Sequence, residues 1–235
     1  MKKIIAANWK MNKTNKEAKA FFVEYAKLVK KTQNQVMFFA PFTTLPTIVK
    51  QSKELGFVPG AQNFYPAKNG AYTGEISLGM ITEAGVRAVL VGHSERRSIF
   101  KENDDVINQK IKMALEYGFK VVFCIGETLE ERESGKTQNV LKKQIDKGLK
   151  GINVFNNLVI AYEPVWAIGT GLVASVQQIR ETHAYIKSLI DIPLLYGGSV
   201  NDTNATEILS VEGVDGALVG GASLDAGKFA RMVSQ

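Results

Sequence analysis

Three side chains far apart in the chain, Lys10, His93 and Glu163, together supply what acid–base chemistry needs: a fixed cation, a proton donor or relay, and a base. Each follows a short apolar run, Lys10 with Asn8 in AANWKMN, His93 in GHSERR and Glu163 in AYEPVWAIGTG. Taken singly, Lys10 reads as well as a surface lysine, and Glu163 as an ion-pair partner. Three later turns are rich in glycine: Gly169-Thr170-Gly171, Gly197-Gly198-Ser199 and Gly220-Gly221-Ala222-Ser223. Glycine lets backbone N–H groups approach an anion closely, and a helix starting after Gly221 would aim its positive end at the same place. One such turn is only a tight turn; three at adjacent strand ends point to a phosphate. His183, inside a helical pattern beside Thr182 and Ala184, reads as structural, and Cys124, in an apolar run, as a core residue.

These residues need elements that bring them to one mouth. Apolar runs recur at Ile4–Ala7, Val36–Ala40, Val58–Ala61, Ala88–Val91, Val121–Ile125, Leu158–Tyr162, Pro193–Tyr196 and Gly216–Val219. They are continuous rather than alternating, the mark of strands buried on both faces. Segments of helical spacing lie between them, such as Phe22, Ala26, Val29 and Ile179, Tyr185, Ile186, Leu189. A strand and a helix repeat about every 29 residues, the length of a βαβ crossover, and no linker-like stretch divides the repeats. The expectation is an α/β chain folded as one eight-stranded parallel (β/α)8 barrel over residues 1–235, with an open doubly wound sheet as the rival. In a barrel, chemistry belongs where strands end and helices have not begun.

Composition narrows the function classes. Hydrophobic residues at 45% and charged residues at 22% exclude a disordered or collagen-like chain, and the single cysteine excludes an internal disulfide. The N-terminus meets Asn8 and Lys10 too soon for a signal peptide, no apolar stretch is long enough to span a membrane, and the expected location is the cytoplasm. The net charge of +6 comes from scattered lysines without interleaved aromatics, so neither nucleic acid nor a membrane is the expected partner. The G-x-x-x-x-G-K-[ST] and G-x-G-x-x-G patterns are missing, as is any His/Cys/carboxylate cluster at metal spacing. Neither a nucleotide cofactor nor a metal is expected.

Two loops stand out. Pro164, Val165, Trp166, Ala167, Ile168, Gly169 and Thr170 form an apolar stretch with small residues at its end, which reads as a lid that closes to exclude water or as a loop packed permanently on the barrel. The segment from Gln62 to Glu75 is long for a strand-to-helix connection and carries Asn63, Tyr65, Tyr72 and Thr73.

The motifs AANWKMN, AQNFYPAKNGAYTGE, GHSERR, VVFCIGE, AYEPVWAIGTG, YGGSV and GALVGGASL, in this order and over nearly the whole chain, resemble the triosephosphate isomerase family. The resemblance implies a TIM barrel that interconverts dihydroxyacetone phosphate and glyceraldehyde 3-phosphate through an enediol(ate), without a cofactor. Glu163 would carry the proton between carbons and a neutral His93 would polarise the carbonyl. Lys10 would stabilise the negative oxygen, Asn8 would hydrogen-bond it, and Glu95 would orient the lysine. Backbone groups of Gly169, Gly171, Ser199, Gly220 and Gly221 would hold the phosphate. The resemblance also implies a homodimer in which the 62–75 loop inserts beside the partner's lysine, with Thr73 near Asn8 and Lys10 of the other subunit and Glu75 and Arg96 bridging the interface. Leu172 departs from the family's pattern at the lid end, where Lys-Thr is common. Another phosphosugar enzyme, or a barrel used only as a binding scaffold, would share the phosphate turns; a Schiff-base aldolase would want a lysine where Glu163 stands.

Overall fold

The computed structural model describes residues 2–153, 155–169 and 172–235. Its parallel strands are Ile4–Asn8 (β1), Gln35–Ala40 (β2), Val58–Ala61 (β3), Ala88–Val91 (β4), Lys120–Ile125 (β5), Leu158–Tyr162 (β6), Leu194–Tyr196 (β7) and Gly216–Val219 (β8). They pair in chain order, and β8 closes onto β1 with Ile4 opposite Gly216. This is the expected (β/α)8 TIM barrel; an open sheet would have left two unpaired edges. Each observed strand lies within a residue of its apolar run. The run at Pro193 begins one residue late as a strand.

The continuous hydrophobicity of the strands follows from burial on both sides. Ile4, Ala6, Met37, Phe39, Ala88, Leu90, Val122, Cys124, Val159, Ala161, Leu195 and Leu218 fill the barrel interior. Their alternate neighbours, including Ile5, Ala7, Phe38, Val89, Phe123 and Ile160, pack outward against the helices. Trp9 is fully buried among Phe21, Phe22 and Phe38, and its indole donates to the Ser223 carbonyl at 3.3 Å. The chain leaving β1 is thereby clamped to the β8 end, next to Lys10.

The helices start where the sequence caps them. Thr14 and Glu17 form a capping box for Asn15–Leu28, as do Ser175 and Gln178 for Val176–Leu189, satisfying first-turn N–H groups that the barrel cannot reach. Among the described residues, no helix is long and apolar enough to cross a membrane.

Candidate active site

The two-residue period that fills the barrel also aims the mouth. Continuing Ile4 and Ala6 inward gives Asn8, and continuing Val159 and Ala161 gives Glu163, both buried. The Asn8 Oδ1 accepts the Lys10 N–H at 3.0 Å, and the Gln62 amide donates to the Lys10 carbonyl at 3.0 Å. These bonds hold Lys10 in a left-handed backbone conformation, φ 51°, that a side-chain-bearing residue seldom adopts. The Lys10 ammonium meets the Glu95 carboxylate at 2.6 Å. In the sequence Gln62 is only the start of a long loop, with no signal that its amide supports the lysine turn.

His93 leaves β4 after Gly92, whose φ of +76° suits glycine, and caps the short helix Ser94–Ser98. Its Nδ1 accepts the Glu95 N–H at 3.3 Å, while Nε2 lies 2.9 Å from Glu163 Oε1. The second Glu163 oxygen accepts the Ser94 N–H at 2.9 Å. Burial opposes charge on His93, whereas the carboxylates of Glu163 and Glu95 favour it and carry the electrostatic balance above the ordinary histidine value. The Glu95 N–H weighs against that balance, because an imidazolium has no lone pair at Nδ1 to receive it. The Glu95 carboxylate, 3.7 Å from Nδ1, is too far to replace that bond. We therefore assign a neutral ring with its proton on Nε2, donated to Glu163. Burial pushes the Glu163 carboxyl up, but the His93 contact, the Ser94 N–H and Lys10 together hold it below the ordinary carboxylate value. The two groups titrate as a pair.

Space for the base is made by glycine. A β-carbon on Gly197 would come within 2.9 Å of Glu163 Cγ. The Cys124 thiol faces the same carboxylate, and burial followed by that charge pushes it well above the usual thiol range, so it is no nucleophile. The readings of Cys124 and His183 as buried structural residues agree with the fold: His183 Nδ1 lies 3.0 Å from the Gly213 carbonyl, away from the mouth.

Asn8, Lys10, His93, Glu163, Gly169, Ser199, Gly220 and Gly221 all line one cavity of about 440 Å³. Gly171 and Thr170 lie outside the described residues. Pro164 to Gly169 cross its edge, with Val165–Ala167 forming one 3₁₀ turn. Their anchor is Glu127, which nothing in its sequence context marks. Its fully buried carboxylate accepts from the Trp166 indole at 2.9 Å, the Tyr162 hydroxyl at 3.0 Å and Arg132 at 3.0 Å. Its carbonyl accepts the Val165 N–H, and the Ser199 hydroxyl donates to the Ala167 carbonyl at 2.6 Å. The segment is thus tied to the ends of two strands by polar bonds, and only its apolar content was legible. Among the described residues, no group of three metal-ligating side chains converges.

Thr73 and Glu75 are exposed and do not line the cavity, and Arg96 is bound within the chain by Glu102 at 2.6 Å. The 62–75 loop folds on itself, with the Tyr65 N–H donating to the Ile76 carbonyl and the Tyr65 and Tyr72 rings 4.3 Å apart.

A closed parallel barrel that gathers a carboxylate, an imidazole and an ammonium beside glycine turns at the carboxyl ends of its strands belongs to the barrel enzymes of acid–base chemistry. Comparison with known proteins agrees and is more specific. The family model for triosephosphate isomerase matches residues 3–235. The triosephosphate isomerase of Lawsonia intracellularis is 48% identical, covering 99% of this chain and 98% of its own, and that of Thermodesulfovibrio yellowstonii is 46% identical with the same coverage. That of Trichormus variabilis is 46% identical over 98% of each. The chain belongs to the triosephosphate isomerase family and is an isomerase.

Proposed function

We propose that Glu163, His93, Lys10 and Asn8 carry out the proton transfers by which this isomerase interconverts dihydroxyacetone phosphate and glyceraldehyde 3-phosphate. The observation that carries the reading is the His93–Glu163 contact of 2.9 Å, made by a ring whose other nitrogen is occupied by a backbone N–H. With substrate in the cavity, the carbonyl oxygen takes over the Nε2 proton donor, which frees Glu163 Oε1 to face the adjacent carbon. Glu163 removes a proton from that carbon as the carbonyl becomes an enediolate. His93 gives its Nε2 proton to one oxygen and takes the proton of the other. Glu163 then returns its proton to the neighbouring carbon, leaving both residues as they began. A neutral imidazole suits this exchange, because its proton affinity is close to that of the enediolate oxygens it serves.

Lys10 supplies a cation that the Glu95 carboxylate orients, Asn8 supplies an amide for the same oxygen, and neither changes protonation. The phosphate rests on the turns at Gly169, Gly171, Ser199, Gly220 and Gly221. An enediolate beside a phosphate ester loses phosphate if water and free rotation are allowed. Closure of the 164–170 lid over the mouth suppresses that loss, driven by binding of the unreacting phosphate.

The working form is a homodimer of single-domain chains in the cytoplasm. Support comes from a second cavity of about 300 Å³ on the far side of Lys10, lined by Met11, Pro41, Phe42, Asn63, Arg96 and Phe100. Met11 is 95% exposed and Phe100 62% exposed, which leaves apolar surface for the partner's 62–75 loop, with Thr73 at its tip and Glu75 and Arg96 flanking it. The test is a coupled assay of glyceraldehyde 3-phosphate conversion by wild type and Glu163→Gln. The wild type turns over and the variant loses at least about a thousandfold; comparable rates from a folded variant would remove Glu163 as the base.

A further inference from the structure

The proposed base and proton relay stand on β6 and β4, which are not neighbours; β5 lies between them. Their 2.9 Å contact therefore depends on how three strand ends are held together. On one side the ladder itself continues, with the Glu163 N–H donating to the Ile125 carbonyl at 2.7 Å. On the other it stops. The register of β4 and β5 ends with Val91 opposite Phe123, and Gly92 turns away so that His93 can swing to the mouth.

Where the next rung would lie, a side chain takes its place. Arg97 donates from Nε to the Gly92 carbonyl at 2.8 Å and from Nη2 to the Cys124 carbonyl at 3.2 Å, while Nη1 meets Asp104 at 2.6 Å. A β-carbon on Gly92 would lie 3.1 Å from the Cys124 carbonyl and 3.2 Å from Arg97 Nη2, so the three groups are in close contact. A planar guanidinium presents donors from three separate nitrogens in such a fork; a lysine's three donors radiate from one nitrogen and cannot reproduce that spread. The carbonyl on one side belongs to the residue before His93. The other belongs to the residue whose thiol faces Glu163 and whose successor receives the Glu163 N–H.

We propose that Arg97 is a positioning residue, a clasp across the frayed β4–β5 rung that sets the separation of His93 and Glu163. The inference rests on the acid–base reading of that pair. The competing role is a simple fastening of the helix Ser94–Ser98 to the helix Asp104–Glu116 through the Arg97–Asp104 ion pair.

Three variants separate the two. Arg97→Lys keeps the charge and the pair with Asp104 but loses the fork; Arg97→Met keeps only the stem; Asp104→Asn keeps the fork and loses the ion pair. Both Arg97 variants should lose at least about tenfold in kcat with KM within threefold, since a displacement on the order of 1 Å costs up to about a hundredfold. Asp104→Asn should stay within threefold. The ring ¹⁵N spectrum of His93 in the ligand-free protein gives a second readout, a single Nε2–H tautomer in wild type and Asp104→Asn and averaged tautomers in the Arg97 variants. Wild-type kcat and a wild-type ring spectrum in Arg97→Lys would overturn the proposal, as would an Asp104→Asn loss equal to that of Arg97→Met. If Arg97→Met does not fold, Arg97→Lys carries the same comparison. Should Glu163→Gln and His93→Gln turn over at the wild-type rate, the acid–base reading is what fails, and the ring spectrum then decides the role of Arg97 alone.

Discussion

Shortening the base by one methylene, Glu163→Asp, withdraws the carboxylate by about 1.5 Å, one carbon–carbon bond. The backbone cannot follow to close the gap. The Glu163 N–H is fixed to the Ile125 carbonyl at 2.7 Å, and the preceding Tyr162 carbonyl accepts the Gly197 N–H at 2.7 Å. The shorter acid keeps its charge and leaves the glycine turns proposed to hold phosphate untouched, so ground-state binding should change little. The loss falls on the transition state, where the carboxylate must reach carbon. A misplacement on the order of 1 Å costs about a hundredfold in rate, or about 2.7 kcal/mol at about 1.36 kcal/mol per tenfold. In a coupled assay run in both directions, kcat should fall by roughly that factor with KM within about threefold. A kcat within threefold of wild type, or a loss confined to KM, would refute the assignment of Glu163 as the group that touches carbon.

Lys10→Gly and Lys10→Ala should both abolish turnover, but the glycine variant should be the more stable by about 1 kcal/mol in urea unfolding, because φ 51° strains alanine and not glycine. Burial lowers His183 from the ordinary 6.5 to about 4. The unfolded chain then takes up a proton that the fold refuses, so stability is full above pH 6.5 and is lost as pH falls towards 4, by about 2 kcal/mol at pH 5. His183→Gln should lack that share of the acid slope, and identical slopes in urea unfolding at pH 7.5 and 5 would contradict it. Glu127→Gln replaces the carboxylate that receives Trp166, Tyr162 and Arg132; it should raise the fraction of turnovers ending in free phosphate at least about twofold, a product ratio that an equal slowing of both paths would leave unchanged.

Much of the site was legible because barrel geometry ties function to position. Once the apolar runs are strands, alternation carries Asn8 and Glu163 inward from Ala6 and Ala161, and Gly169 and the turns at Gly197–Ser199 and Gly220–Ala222 line the same cavity. Glu127 was not legible, since a carboxylate just past a strand end looks solvated until three donors from other segments enclose it. Gln62 and Arg97 act through backbone carbonyls that any residue could offer, and carbonyls leave no trace in a sequence.

From the chain alone follow the strand count, the expectation of a closed barrel and the candidates for relay, base and cation, because hydrophobic period and residue type are local properties. The 2.9 Å meeting of His93 with Glu163, the left-handed turn at Lys10 and the clasp between β4 and β5 were decided only in three dimensions. Each depends on a backbone N–H or carbonyl met by a side chain from a distant segment, Glu163 on the Ser94 N–H, Gln62 on the Lys10 carbonyl and Arg97 on the Cys124 carbonyl, and the same peptide groups occur all along the chain. Only their direction distinguishes them, and direction is a product of packing.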